Sequence, residues 1–227
     1  MILIVFEGFN DLQFFKSFLI KVKEYNEGTN RNSNLKDQFN KLFEKNPGGT
    51  RIDILEHTNP EKVILLSIGG KQYFKDVAEA SKALVKIVGI SKILLIGDKD
   101  GEEDIITAKN EIIKKELNIP VEVIVYRGCL EDLIFSVVDL INPLIPQRDK
   151  DVLNKIFRIL SENYSNEENS ESNREMSIFK KRKTGIIHTI LGPRCWGHLF
   201  DELFSKFCEE DIDKIEELEK VKIFLEL

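Results

Sequence analysis

The chain has 227 residues, 42% of them hydrophobic and 32% charged, with 33 basic against 39 acidic side chains and a formal charge of −6. Such a composition describes a globular protein long enough to bury a substantial core. It excludes a protein that coats nucleic acid by bulk electrostatics, while leaving room for a local basic groove.

Cys129, Cys195 and Cys208 are widely spaced and form no Cys-x-x-Cys pair, which suits a reducing cytoplasm and carries no zinc signature. The amino terminus lacks a basic leader and meets Glu7 at once, and no apolar run reaches membrane-spanning length. A cytoplasmic protein without a membrane partner is expected.

In chain order, Ile2 to Phe6 is a continuous apolar run, predicted to be a buried central strand. Glu7-Gly8-Phe9-Asn10-Asp11 forms the following loop, with Asp11 placed to N-cap a helix that carries Leu12, Phe15, Phe18, Leu19 and Val22 inward. Residues 26–34 read as a polar loop and 35–45 as a short amphipathic helix, ended by Asn46-Pro47-Gly48-Gly49. Arg51 to Leu55 alternates like a brief edge strand.

Val63 to Ile68 is the next strong strand, ending in Gly69-Gly70-Lys71, and a helix runs from there to about Val88, terminated by Gly89. A strand over 92–97, a helix over 104–117 and a strand from Val121 to Tyr126 follow. Strands alternating with helices of this length imply an α/β fold with a parallel sheet and right-handed crossovers. Beyond Arg127 the chain turns helical: from Gly128 to about Leu140, then 150–160, 176–191, 196–208 and 211–220. Ser161 to Arg174, nearly all Ser, Asn and Glu, is predicted to be a disordered loop.

The candidate chemistry lies where strands end. Ile93-Leu94-Leu95-Ile96-Gly97 stops abruptly at Asp98-Lys99-Asp100-Gly101-Glu102-Glu103-Asp104, five acids within seven positions. In open α/β sheets ligands bind at the carboxyl ends of strands. Glu7 also follows a buried strand. If the two strands are central and parallel, Glu7 approaches Asp98 and Asp100. Convergent oxygen donors without His or Cys call for a hard divalent cation, Mg²⁺ or Mn²⁺. Such a site supports phosphoryl or nucleotidyl transfer.

Val5-Phe6-Glu7-Gly8-Phe9-Asn10-Asp11-Leu12 resembles the first motif of the Toprim domain, shared by topoisomerases, bacterial-type primases and OLD-family nucleases. Leu94-Leu95-Ile96-Gly97-Asp98-Lys99-Asp100 resembles the second, a hydrophobic strand ending in Asp-x-Asp. The resemblance implies a Rossmann-like Toprim domain over 1–130 with an insertion near 26–60, and a helical part over 131–227 packed on it. It implies that Glu7 is a general acid or base or a metal ligand, and that Asp98 and Asp100 bind Mg²⁺.

Standalone OLD-like proteins fit best. By that likeness Asp11 is a further metal ligand, Glu131 or Asp132 at an acidic helix start is an extra one, and Lys183 or Lys181 supplies a catalytic cation. No GxxxxGK[ST] occurs, and Gly69-Gly70-Lys71-Gln72 is not a P-loop. The implied activity is metal-dependent phosphodiester chemistry on DNA or RNA, that of a Toprim-type nuclease, with a homodimer or larger complex left open.

Plainer roles compete at each position. Asp11 reads equally as a helix cap, and Glu102, Glu103 and Asp104 as solvated helix-start charges favoured by the dipole. Glu131 and Asp132 also sit at a helix start, and Lys180 to Lys183 can be a solvated face. His57, His188 and His198 lack metal-ligand spacing, and Trp196, Phe200, Leu203 and Phe204 read as helix core. As alternative functions, Asp98-Lys99-Asp100-Gly101 matches an Asp-nucleophile phosphatase motif, although on a later strand than usual. A primase-like nucleotidyltransferase and a non-catalytic module binding RNA, DNA or protein also remain.

Overall fold

The computed structural model describes residues 1–28, 33–43, 50–57, 62–126, 128–165, 173–191 and 196–226. Strands β1 (Ile2–Phe6), β2 (Asn26–Glu27), β3 (Arg51–Glu56), β4 (Val63–Ser67), β5 (Lys92–Gly97) and β6 (Val121–Val125) form one sheet in the order β2-β3-β4-β1-β5-β6. β4, β1, β5 and β6 run parallel, while β3 pairs antiparallel with β4, and β2 with β3. This is the mostly parallel α/β sheet that the apolar runs imply.

Because side chains alternate along a strand, each central strand feeds two cores. Ile2, Ile4, Phe6, Leu65, Leu94 and Ile96 belong to one, and Leu3, Val5, Ile64, Leu66, Ile93 and Leu95 to the other. The second core is completed by α2 (Ser33–Leu42), α3 (Phe74–Ala83) and α4 (Glu102–Ile113). The first is completed by α1 (Phe9–Lys21) and by the C-terminal helices α5 (Leu130–Ile141), α6 (Gln147–Ser165), α7 (Asn173–Leu191), α8 (Trp196–Phe204) and α9 (Glu216–Glu226). The helical third therefore supplies one wall of the sheet's own core. Phe14 of α1 binds the two parts together, with its ring edge-on to Phe200 at 5.4 Å and to Phe204 at 4.9 Å.

Several expected boundaries move. Asn26–Glu27 is a short strand against Leu55 and Glu56, so one end of β3 is covered. The helix expected over 104–117 starts at Glu102 and ends at Ile113, after which Glu116 and Asn118 turn at positive φ. The helix from Lys71 begins as a 3₁₀ turn, Lys71–Tyr73, and its last turn, Leu84–Val88, is π-helical and closes on left-handed Gly89.

Of the stretch 161–174 predicted to be a disordered loop, 161–165 continue α6 and 173–174 begin α7, while 166–172 lie outside the described residues. Once a helix is nucleated, each added residue contributes a hydrogen bond, so a polar stretch extends it readily. The helix expected over 211–220 is a 3₁₀ turn at Glu209–Lys214 followed by α9. Asp211 accepts the Cys208 N–H at 3.1 Å, and this capping box starts the turn earlier. Phe200, Leu203 and Phe204 are buried as expected; the Trp196 side chain lies outside the described residues.

Phe14→Ala removes the ring that joins α1 to α8. Loss of a buried Phe costs about 3–5 kcal/mol. Chemical denaturation followed by circular dichroism should show that loss within a single transition spanning the sheet and the C-terminal helices.

Candidate functional site

β1 and β5 pair parallel in the register Phe6 to Ile96. The chain moves from β1 to β4 on one side and then crosses to β5 on the other, so the order reverses between β1 and β5. That reversal is the crevice where open α/β sheets bind ligands. Glu7 leaves β1 there with its main chain still in the sheet. Its N–H donates to the Ile96 carbonyl at 3.3 Å and its carbonyl accepts the Gly70 N–H at 2.9 Å. Asp98 leaves β5 as the N-cap of a 3₁₀ turn over Lys99–Gly101, its carbonyl accepting the Gly101 N–H at 3.0 Å.

Glu7 Oε2 and Asp98 Oδ1 are both buried without a hydrogen-bond partner. Such oxygens are costly unless a cation or proton compensates. Burial pushes the Asp98 carboxyl up to about 7, with further contributions from Glu7, Asp100 and Glu131, against a small opposing effect of the Leu130 N–H. Glu7 is also raised, first by burial and then by Asp100; Lys71 and the N–H groups of Asp98 and Lys71 offset part of the rise. A Cβ on Gly101 would stand 3.2 Å from Glu7 Oε2 and 3.1 Å from the Lys71 Cβ, so a larger residue there would crowd both side chains.

Asp11 is not the helix cap. Gly8 holds that position, and Asp11 sits in the first turn of α1, buried, accepting a hydrogen bond from the Tyr126 hydroxyl at 3.1 Å. Its carboxylate folds back so far that a Cβ on Gly8 would come within 2.6 Å of Oδ2. Burial, then the charge of Asp98, pushes Asp11 up to about 7, and the Tyr126 hydroxyl counters part of this. Tyr126 in turn follows β6, its N–H bonded to the Gly97 carbonyl at 3.1 Å.

Asp100 is exposed and paired. Lys71, from the loop after β4, donates to Asp100 Oδ2 at 2.7 Å and to the Asp100 carbonyl at 2.9 Å. Asp132 closes a capping box at the start of α5, accepting the Cys129 N–H at 3.0 Å, and also pairs with Lys180 at 2.7 Å. Burial pushes Asp132 up, but Lys180 and Cys129 outweigh it and hold its carboxyl below the usual range. Glu131 is near enough for its charge to raise Asp98.

The cation that reaches the α5 start is thus Lys180, whereas the Lys183 ammonium stands 4.8 Å over the Phe135 ring and Lys181 is exposed. Lys71, Lys180 and Tyr126 are the residues that sequence reasoning missed. Lys71 carried the same signal as Glu7 and Asp98, a charge just after a buried parallel strand.

Fold and site together define an α/β protein with a carboxylate cluster at the sheet's switch point. The architecture is similar to that in the crystal structure of hypothetical protein PH0156 from Pyrococcus horikoshii OT3, with a TM-score of 0.59 and 16% identity, over 99% of this chain and 94% of that one. At that identity the likeness is one of fold. It spans the helical third as well as the sheet. No protein-family model matches the chain, and no curated protein does. Among the described residues no helix is long and apolar enough to cross a membrane.

The unfolded chain releases the protons of Asp11 and Asp98 near pH 3.8, and the folded chain near pH 7. The folded state therefore holds more protons across that window. The stability these two groups contribute is full below it and lost as the pH rises through about 7. Asp98→Asn should raise Tm, with a gain that grows between pH 5 and pH 8. Discounted for solvent screening at a half-buried carboxylate, the gain is on the order of 1 kcal/mol, or about 2–4 °C. A Tm difference independent of pH would contradict the raised Asp98 carboxyl.

Proposed function

We propose that the protein is a metal-dependent phosphodiesterase acting on nucleic acid, a nuclease of the Toprim type. The observation that carries this reading is the pair of buried, unpartnered oxygens, Glu7 Oε2 and Asp98 Oδ1, on adjacent parallel strand ends. Oxygen-only donors suit Mg²⁺ or Mn²⁺. Among the described residues no three His, Cys, Asp or Glu stand as a preformed metal cage. Two features account for that: Asp100 is turned to Lys71, and neighbouring carboxylates repel one another without a cation.

Asp98, Asp100 and Glu7 would hold the cation, with Asp11 behind them and Glu131 within electrostatic reach. A bound cation supplies phosphate polarisation and a more acidic water. Glu7, on the strand end next to that of Asp98, would orient the attacking water or accept its proton. Lys71 sits where it can offset charge developing on the phosphate. In this reading it takes the role that sequence reasoning gave to Lys183 or Lys181, and Asp132 orders the start of α5 rather than binding metal.

Labelled single- and double-stranded DNA and RNA incubated with Mg²⁺ or Mn²⁺ should be cleaved, and EDTA or Asp98→Ala should abolish cleavage. Cleavage that survives either change sinks the metal mechanism. Mg²⁺ should also raise the Tm of the wild type more at pH 8 than at pH 5 and leave Asp98→Asn unmoved, a readout independent of activity. Binding of nucleic acid without turnover under any metal would instead make the protein a binding module.

A further inference from the structure

We propose that Phe9 and Arg51 form a stacking platform for an unpaired nucleobase at the rim of the carboxylate site, so that the substrate enters as a single strand. The inference rests on the nucleic-acid reading above and names the form of nucleic acid.

Phe9 lies two residues beyond Glu7, at the first position of α1, and is 38% exposed. It belongs to neither of the two cores. The Arg51 guanidinium carbon stands over its ring, 3.8 Å from the centroid. Arg51 is itself exposed and opens β3 opposite Ser67, the last residue of β4. Both side chains thus sit at the carboxyl edge of the sheet, where Glu7, Lys71 and Asp98 also emerge.

An exposed cation–π pair contributes only about 0.5–1 kcal/mol, so the arrangement does little for the fold. It does place an exposed guanidinium over a partly exposed aromatic ring, next to carboxylates suited to phosphodiester chemistry. Every base has a π-face, so stacking on Phe or on a guanidinium plane tolerates any sequence. The guanidinium keeps N–H groups with which to meet the phosphate joined to the stacked base. In a duplex both faces of each internal base are already covered by its neighbours. The platform therefore discriminates by strandedness.

The test uses the full chain with Ca²⁺ in place of Mg²⁺ to prevent turnover, and fluorescein-labelled oligo(dA), oligo(rA) and a duplex of the same length, read by anisotropy. Phe9→Ala should weaken single-strand binding by about 5- to 150-fold while leaving the duplex unchanged. Phe9→Trp should preserve or tighten single-strand binding, and Arg51→Gln should weaken it; thermal melts check that each variant is folded. Equal single-strand affinity in Phe9→Ala, or an equal loss for single strand and duplex, overturns the platform. A wild type that binds neither form overturns both the platform and the nucleic-acid reading. Binding that responds to Phe9 without any cleavage in Mg²⁺ overturns hydrolysis and leaves the platform standing.

Discussion

Parallel pairing of β1 with β5, in the register that sets Phe6 beside Ile96, is the constraint on which the site depends. It brings Glu7 and Asp98 off adjacent strands at one edge of the sheet. A slip of one residue would turn the Leu3 and Val5 side of β1 toward the opposite core. The alternation that fills two cores thus also aligns the two carboxylates. Because β4 and β6 run in the same direction, Lys71 and Tyr126 are delivered to that edge as well.

Packing these groups together works against folding. Two buried oxygens lack partners, and burial first pushes both Asp11 and Asp98 up to about 7, with the charge of Asp98 adding to Asp11 and those of Glu7, Asp100 and Glu131 adding to Asp98. A protein selected for stability alone would place amides or apolar groups at such positions. The surroundings moderate the cost only partly. Lys71 holds Asp100, Tyr126 donates to Asp11, and backbone N–H groups lie against Glu7. If the proposed cation binds, it relieves the remaining imbalance, and its affinity is then tied to the instability of the metal-free protein.

Legibility followed range. Central strands were readable because burial on both faces requires unbroken apolar runs such as Ile2 to Phe6 and Ile93 to Ile96. The placement of Glu7 and Asp98 side by side was readable because each directly follows an apolar run of a parallel sheet. Asp11 was only half readable: its sequence neighbours suggested a cap, whereas its partner Tyr126 lies 115 residues away. The cationic run on α7 showed that positive charge was available, but only the packing of α7 against α5 decides that Lys180 meets Asp132 while Lys183 lies over Phe135.

The amino-acid order alone determined the strands, the helices between them and the acids that follow β1 and β5, because local periodicity and strand-end chemistry are properties of short segments. Tertiary structure decided the rest. It made the helical third a wall of the sheet's own core, paired Asp11 with Tyr126, turned Asp100 to Lys71 and left Glu7 and Asp98 each with an orphaned oxygen. Each of these outcomes depends on which distant surfaces meet and on how much water is excluded between them, and no short segment encodes either.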